Sequence, residues 1–181
     1  MLRPREWVTH GAYPLVTIVF PRTSTSIPLR AKVARASRRA IRHPKVFLND
    51  TGLIAALQGL DERRCREDPV LLGPLVENFA GMELRKQLGW SRQPGQLFHF
   101  RTRTGHEVDI VLERPDGGIV GIEVKLTHSP GPRDFAGLRA LAEGAGRRFR
   151  RGILLYAGPH VFPFGDRLAA VPLPCLWQWG Q

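Results

Sequence analysis

The sequence predicts a mixed α/β domain over residues 44–181, with a central sheet of antiparallel and parallel strands flanked by helices. Three observations predict it. Leu75, Val76, Phe79, Met82 and Leu88 recur at helical spacing behind Pro74, which suits a first turn, and Gly89 stops the run. Three short strand-like runs, Leu97–Thr102, Glu107–Leu112 and Ile119–Leu126, then follow without an intervening helix. A second helical run, Arg133 to Glu143, separates the third of these from a fourth strand at Gly152–Tyr156. Adjacent strands imply antiparallel pairs and a helical crossover implies a parallel one, so the sheet is expected to be mixed.

Ahead of the main helix, Lys45–Leu48 (KVFL) reads as a short strand or buried segment. Asp50 or Thr51 caps a helix that runs to Gln58 and closes at Gly59. Asp61 to Asp68 reads as a charged loop, and a last short strand includes Ala170–Pro172. Residues 1–43 lack sustained periodicity and read as a basic, poorly structured arm, with a short basic helix at Ala31–Ile41 as its one candidate element.

Charge separates the two parts. The formal net charge is +11, but residues 1–45 hold ten Lys or Arg against Glu6 alone, a net of +9. The remaining seventeen Lys or Arg face fifteen acids, a net of +2. A basic arm raises non-specific affinity for a phosphate backbone such as DNA, and it reads equally as a solvated tail. No apolar run approaches the roughly 18 residues of a membrane span. Cys65 and Cys175 are far apart and have no His/Cys zinc spacing, which suits two reduced thiols in a cytoplasmic protein.

The chemistry concentrates in one hairpin. Glu107–Glu113 and Ile119–Leu126 flank a Pro-Asp-Gly-Gly turn. Alternation puts Val108, Ile110 and Leu112 on one face with Val120, Ile122, Val124 and Leu126. The other face carries Glu107, Asp109, Val111 and Glu113 beside Ile119, Gly121, Glu123 and Lys125. A five-residue loop, Arg114 to Gly118, opposes Glu113 to Ile119 and Asp109 to Glu123; a two-residue shift makes those carboxylates diagonal neighbours. Opposed side chains lie roughly 4.5–5.5 Å apart at Cβ, where like charges destabilise. Two readings fit this pattern. One is the wet face of an amphipathic hairpin. The other is a pair of hard carboxylates around Mg²⁺ or Mn²⁺, with Lys125 stabilising charge on a phosphate, as phosphodiester hydrolysis requires.

Asp109 at one strand end followed by Glu123-Val124-Lys125 on the next resembles the PD-(D/E)XK nuclease signature, with Val108 in place of the proline. The helix–three strands–helix–strand order is that superfamily's restriction-endonuclease-like core. The phrases KVFLNDTGLIAAL, LGPLVENFAGMELRK, FHFRTRTGHEVDIVLE, GIEVKLTHSP, DFAGLRAL, ILLYAG and AVPLPCLW resemble a domain of unknown function found C-terminal to AAA+-type ATPase modules in many prokaryotic proteins. The resemblance covers about residues 44–177. It implies a divalent-metal-dependent nuclease-like domain acting on DNA, with Glu77, Asp109 and Glu123 as metal carboxylates and Lys125 as catalytic lysine. It also places Arg101 and Arg103 beside the site as phosphate contacts. Against these stand a Glu77 that merely favours a helix N-terminus, solvated arginines at a strand end, and a nucleic-acid-binding or regulatory module, or a truncated remnant, that keeps the fold without turnover. His106 reads as a turn residue. No G-x-x-x-x-G-K-[ST] occurs, so any ATPase module must lie outside this sequence.

Overall fold

A computed structural model describes residues 45–102 and 104–178, together with the strand Thr17–Val19. The rest of the basic arm, including its candidate helix at 31–41, and Arg103 lie outside the described residues. The order of elements is β1 (Thr17–Val19), β2 (Val46–Leu48), α1 (Thr51–Leu57), α2 (Glu62–Glu67), α3 (Leu72–Trp90), β3 (Gln96–Arg101), β4 (Glu107–Glu113), β5 (Ile119–Lys125), α4 (Ala136–Ala145), β6 (Phe149–Tyr156), β7 (Phe162–Pro163) and β8 (Leu168–Pro172). Six strands form one sheet in the order β3-β4-β5-β6-β8-β7, while β1 and β2 pair separately and antiparallel. The β3–β4, β4–β5 and β7–β8 pairs are antiparallel; β5–β6 and β6–β8 are parallel. The sheet is mixed, as the strand–helix order requires.

Local chemistry sets the element ends. The Asp50 carboxylate accepts the Leu53 N–H at 2.9 Å and caps α1. Asp61 does the same for Arg64 at 2.7 Å, which turns the expected charged loop into α2. That helix buries nothing. Its exposed Glu62–Arg66 and Arg63–Glu67 pairs, four residues apart, carry no apolar periodicity to reveal it.

Both faces of the sheet are covered. Phe47, Ala80, Met82, Ile110, Ile122 and Leu155 pack on the α3 side. Val108, Val111, Ile119, Phe135, Leu138, Leu141 and Leu154 pack on the α4 side. The expectation that Val108 shares a face with Ile110 and Leu112 fails for a local reason. Phe98 pairs with Val111 but Phe100 pairs with Val108, so Asp109 and Ile110 together oppose His99 alone. This bulge shifts the alternation by one residue, and Val108 joins the α4-side core. Val111 and Ile119 are buried as well, so the hairpin has no wet face except where its acids gather.

Two glycines permit close approaches between elements. A Cβ at Gly81 of α3 would lie 2.5 Å from the Phe47 ring, and one at Gly137 of α4 would lie 1.8 Å from the Glu107 carbonyl oxygen. These contacts press β2 onto α3 and α4 onto the start of β4. Among the described residues no helix is long and apolar enough to cross a membrane. Cys65 and Cys175 are free thiols.

Candidate carboxylate–lysine site

The ladder between β4 and β5 follows the register expected from the five-residue loop: Glu113 pairs with Ile119, and the pairing continues to Ile110–Ile122. Next in that register come Asp109 and Glu123, and here side chains replace the backbone ladder. The Asp109 N–H donates to Glu123 Oε2 at 3.3 Å, and the Val124 N–H donates to Asp109 Oδ2 at 2.9 Å. Each carboxylate therefore binds the opposite strand. Asp109 is 6% exposed and Glu123 7%. Two acids this buried need partners, because an unpaired charge away from water is costly.

The partners are two lysines. Lys125 Nζ stands 3.0 Å from Glu123 Oε1. Lys45, just ahead of β2, places Nζ 2.7 Å from Asp109 Oδ1, 2.7 Å from Glu77 Oε1 of α3 and 3.3 Å from Glu107 Oε1. Asn78, the residue after Glu77, holds β2 in place. Its Oδ1 accepts the Leu48 N–H at 2.8 Å, and its Nδ2 donates to the Leu48 carbonyl at 2.9 Å and to Thr51 Oγ1 at 3.0 Å.

Glu77, Asp109, Glu123 and Lys125 thus line one polar cavity of about 460 Å³, with Glu107, His106, Arg133 and Asp134 on its other walls. Arg101 reaches it only through Glu107, 3.7 Å from Nε. His106 belongs to the β3–β4 turn: its N–H donates to Thr102 Oγ1 and its carbonyl accepts the Thr102 N–H. A larger groove of about 560 Å³ between Leu84, Leu88, Leu97 and Trp177 is mainly apolar and gathers no comparable set of acids.

The electrostatics follow from burial and crowding. Burial, then the charge of Asp109, pushes the Glu123 carboxyl up to about 7, against the pull of Lys125. Glu77 moves up for the same two reasons, opposed by Lys45. Burial pulls both lysines down, but Asp109 and Glu77 around Lys45, and Glu123 around Lys125, more than reverse it.

The donors are all carboxylate oxygens, the ligand type that suits Mg²⁺ or Mn²⁺. Glu77 and Asp109 already converge on one positive charge, the Lys45 ammonium. In charge and donor type the set suits a divalent ion, while the cation it faces in this structure is the Lys45 ammonium. As they stand, no three His, Cys, Asp or Glu side chains among the described residues are gathered closely enough to hold a metal ion.

Sequence reasoning missed Lys45, Glu107 and Asn78 as members of the site. Lys45 and Asn78 carried one signal, polarity out of place: a lysine heading the apolar Val46–Leu48 segment, and an amide within the buried stripe of α3.

Fold and cavity together define a mixed α/β domain with a buried carboxylate–lysine site at the point where two central strands part. The chain belongs to the family described as Domain of unknown function (DUF4143), whose pattern matches residues 72–176, more than half of its length. It is 33% identical over 140 residues to an uncharacterized protein of Mycobacterium bovis and, equally, to one of Mycobacterium tuberculosis. The aligned segment covers 77% of this chain and 30% of each relative, so the chain spans under a third of the relatives' length. No solved structure gives a significant match.

Proposed function

We propose that the domain is a divalent-metal-dependent, nuclease-like module of restriction-endonuclease-like fold that acts on DNA. The observation that carries this reading is the Asp109–Glu123 pair. Two buried carboxylates are held side by side by each other's strands, with Lys125 bonded to one of them. Asp109, Glu123 and Glu77 would hold Mg²⁺ or Mn²⁺. When bound, such an ion supplies a Lewis acid for a phosphate oxygen and a more acidic water. Lys125, fixed by Glu123 at the rim of the cavity, supplies positive charge for a phosphate as negative charge builds on it. Burial and Asp109 push the Glu123 carboxyl up to about 7, so holding a cation there would require Glu123 to give up its proton at or below that pH. Arg101 and Arg103 are candidate contacts to the DNA backbone. The much greater length of the relatives leaves room for a further module, and an ATPase of the AAA+ type is the partner the resemblance implies.

A second reading, a nucleic-acid-binding or regulatory module that keeps the fold without turnover, is favoured by one observation: Lys45 already pairs with both Glu77 and Asp109. Calorimetric titration with Mg²⁺ and Mn²⁺, paired with nicking of supercoiled plasmid, separates the two. Metal-dependent nicking that disappears in Asp109→Asn supports the first. Metal binding without cleavage of any DNA leaves the second.

A further inference from the structure

We propose that Lys45 is a resident counter-cation of this site, and that a divalent ion enters only by displacing its ammonium from Glu77 and Asp109. This rests on the metal reading above and adds a gate to it.

The geometry points to displacement rather than coexistence. Lys45 Nζ lies 2.7 Å from one oxygen each of Glu77 and Asp109, while its side chain is only 18% exposed. An ion coordinated by those same oxygens, at about 2.1 Å for Mg²⁺, would share nearly the same point with the ammonium. Two positive charges that close, in a largely buried cavity, repel strongly. The acids are instead divided between two lysines: Glu77, Glu107 and Asp109 face Lys45, and Glu123 faces Lys125. That division sets Glu123 apart from the three acids around Lys45, and among the described residues no three His, Cys, Asp or Glu are arranged to hold a metal ion while the lysine is there.

The backbone cannot supply the movement. The strand that follows Lys45 is fixed to α3 by the paired hydrogen bonds of Asn78 to Leu48 and by Phe47 packed against Gly81. The lysine side chain can supply it, since its four-carbon stem rotates and its charge is readily hydrated. Removing the positive charge alone should therefore open the cavity to metal.

The test uses the full chain, as parent, Lys45→Met and Lys45→Arg, titrated with Mn²⁺ by calorimetry and melted in EDTA or Mn²⁺. Lys45→Met should bind Mn²⁺ at least tenfold more tightly than the parent. It should melt below the parent in EDTA and recover in Mn²⁺. Lys45→Arg, which keeps the charge, should bind no better than the parent. Equal affinity in parent and Lys45→Met, or tightening by Lys45→Arg, overturns the displacement and leaves the metal reading standing. No binding by parent and Lys45→Met overturns both. Should Lys45→Met fail to fold, amine labelling of the parent read by mass spectrometry decides the matter. Lys45 should label several-fold faster in saturating Mn²⁺, and an unchanged rate overturns the proposal.

Discussion

Asp109 and Glu123 bind each other's strands where the β4–β5 ladder ends. The Asp109 N–H donates to Glu123, and the Asp109 carboxylate accepts the N–H of Val124. Two backbone N–H groups that would otherwise lack a ladder partner are thereby satisfied by the two acids. The arrangement stabilises the strand ends and strains the acids, because both are buried and like-charged. The β4 bulge at Asp109–Ile110 belongs to the same feature, since it turns the strand where the acids meet.

Replacing Asp109 by Asn removes one of the two causes that hold the Glu123 carboxyl high. The Glu123 carboxyl should then titrate at lower pH than in the parent, as read by carbon-13 NMR of the glutamate side chains. Burial remains, so the value should not return fully to the ordinary 4.5. An unchanged Glu123 titration would show that Asp109 exerts no charge on it.

Stability should depend on pH through Glu123. With a folded carboxyl near 7 against an ordinary 4.5, the folded state binds more protons than the unfolded state in that window. Stability from this group is therefore full at low pH and falls as pH rises from about 4.5 to about 7. The loss is on the order of 3 kcal/mol, given about 1.4 kcal/mol per pKa unit. Glu77, also raised, adds in the same direction. Lys45 and Lys125 remain charged throughout the window and contribute no slope there. In Glu123→Gln the decline in denaturation midpoint between pH 5 and 7.5 should be clearly smaller.

Much of the sheet and half of the site were legible in the sequence, and the misses share a cause. Asp109, Glu123 and Lys125 could be placed together because strand alternation and a short loop fix register over a few residues. Their shared cavity with Glu77 needed only the family resemblance. Lys45 and Glu77 come from elements 32 positions apart in the chain, and their meeting depends on how β2 docks against α3. No local periodicity encodes that contact. The bulge was hidden for a related reason: alternation assumes an unbroken ladder, and one extra residue on β4 moves Val108 to the other face. Helix α2 was misread because its start is fixed by the Asp61 cap and its body carries exposed charges with no apolar periodicity.

Asn78 should matter to stability more than its distance from the lysine tip suggests. Its amide closes three hydrogen bonds to Leu48 and Thr51, two of them to backbone groups of one residue. Asn78→Ala leaves the Leu48 N–H and carbonyl without that partner, at a cost of about 2 kcal/mol. Urea denaturation should show the drop. Because β2 carries Lys45 to the acids, the variant should also loosen the Lys45–Glu77 pair, visible as faster amine labelling of Lys45.

Lys125 and Asp109 should separate charge stabilisation from metal holding, since one is a cation and the other a ligand type. Among the described acids Lys125 bonds only to Glu123, at 3.0 Å, and it sits half-exposed at the cavity rim. Lys125→Ala leaves every carboxylate oxygen in place. It also removes a positive charge that would repel an incoming ion, so Mn²⁺ affinity should be equal to or somewhat higher than that of the parent. Plasmid nicking should nevertheless fall by about a hundredfold or more, the scale on which losing one preorganised charge-stabilising group acts. Asp109→Asn should lose both metal-induced thermal stabilisation and nicking, because it removes a ligand outright. In EDTA it should be no less stable than the parent, since relief of the Asp109–Glu123 repulsion offsets the lost bond to Lys45. Melting each protein with and without Mn²⁺, alongside the nicking assay, reads all of these at once. If Lys125→Ala nicks as well as the parent, Lys125 is only the counter-charge of Glu123 and the hydrolysis needs another cation.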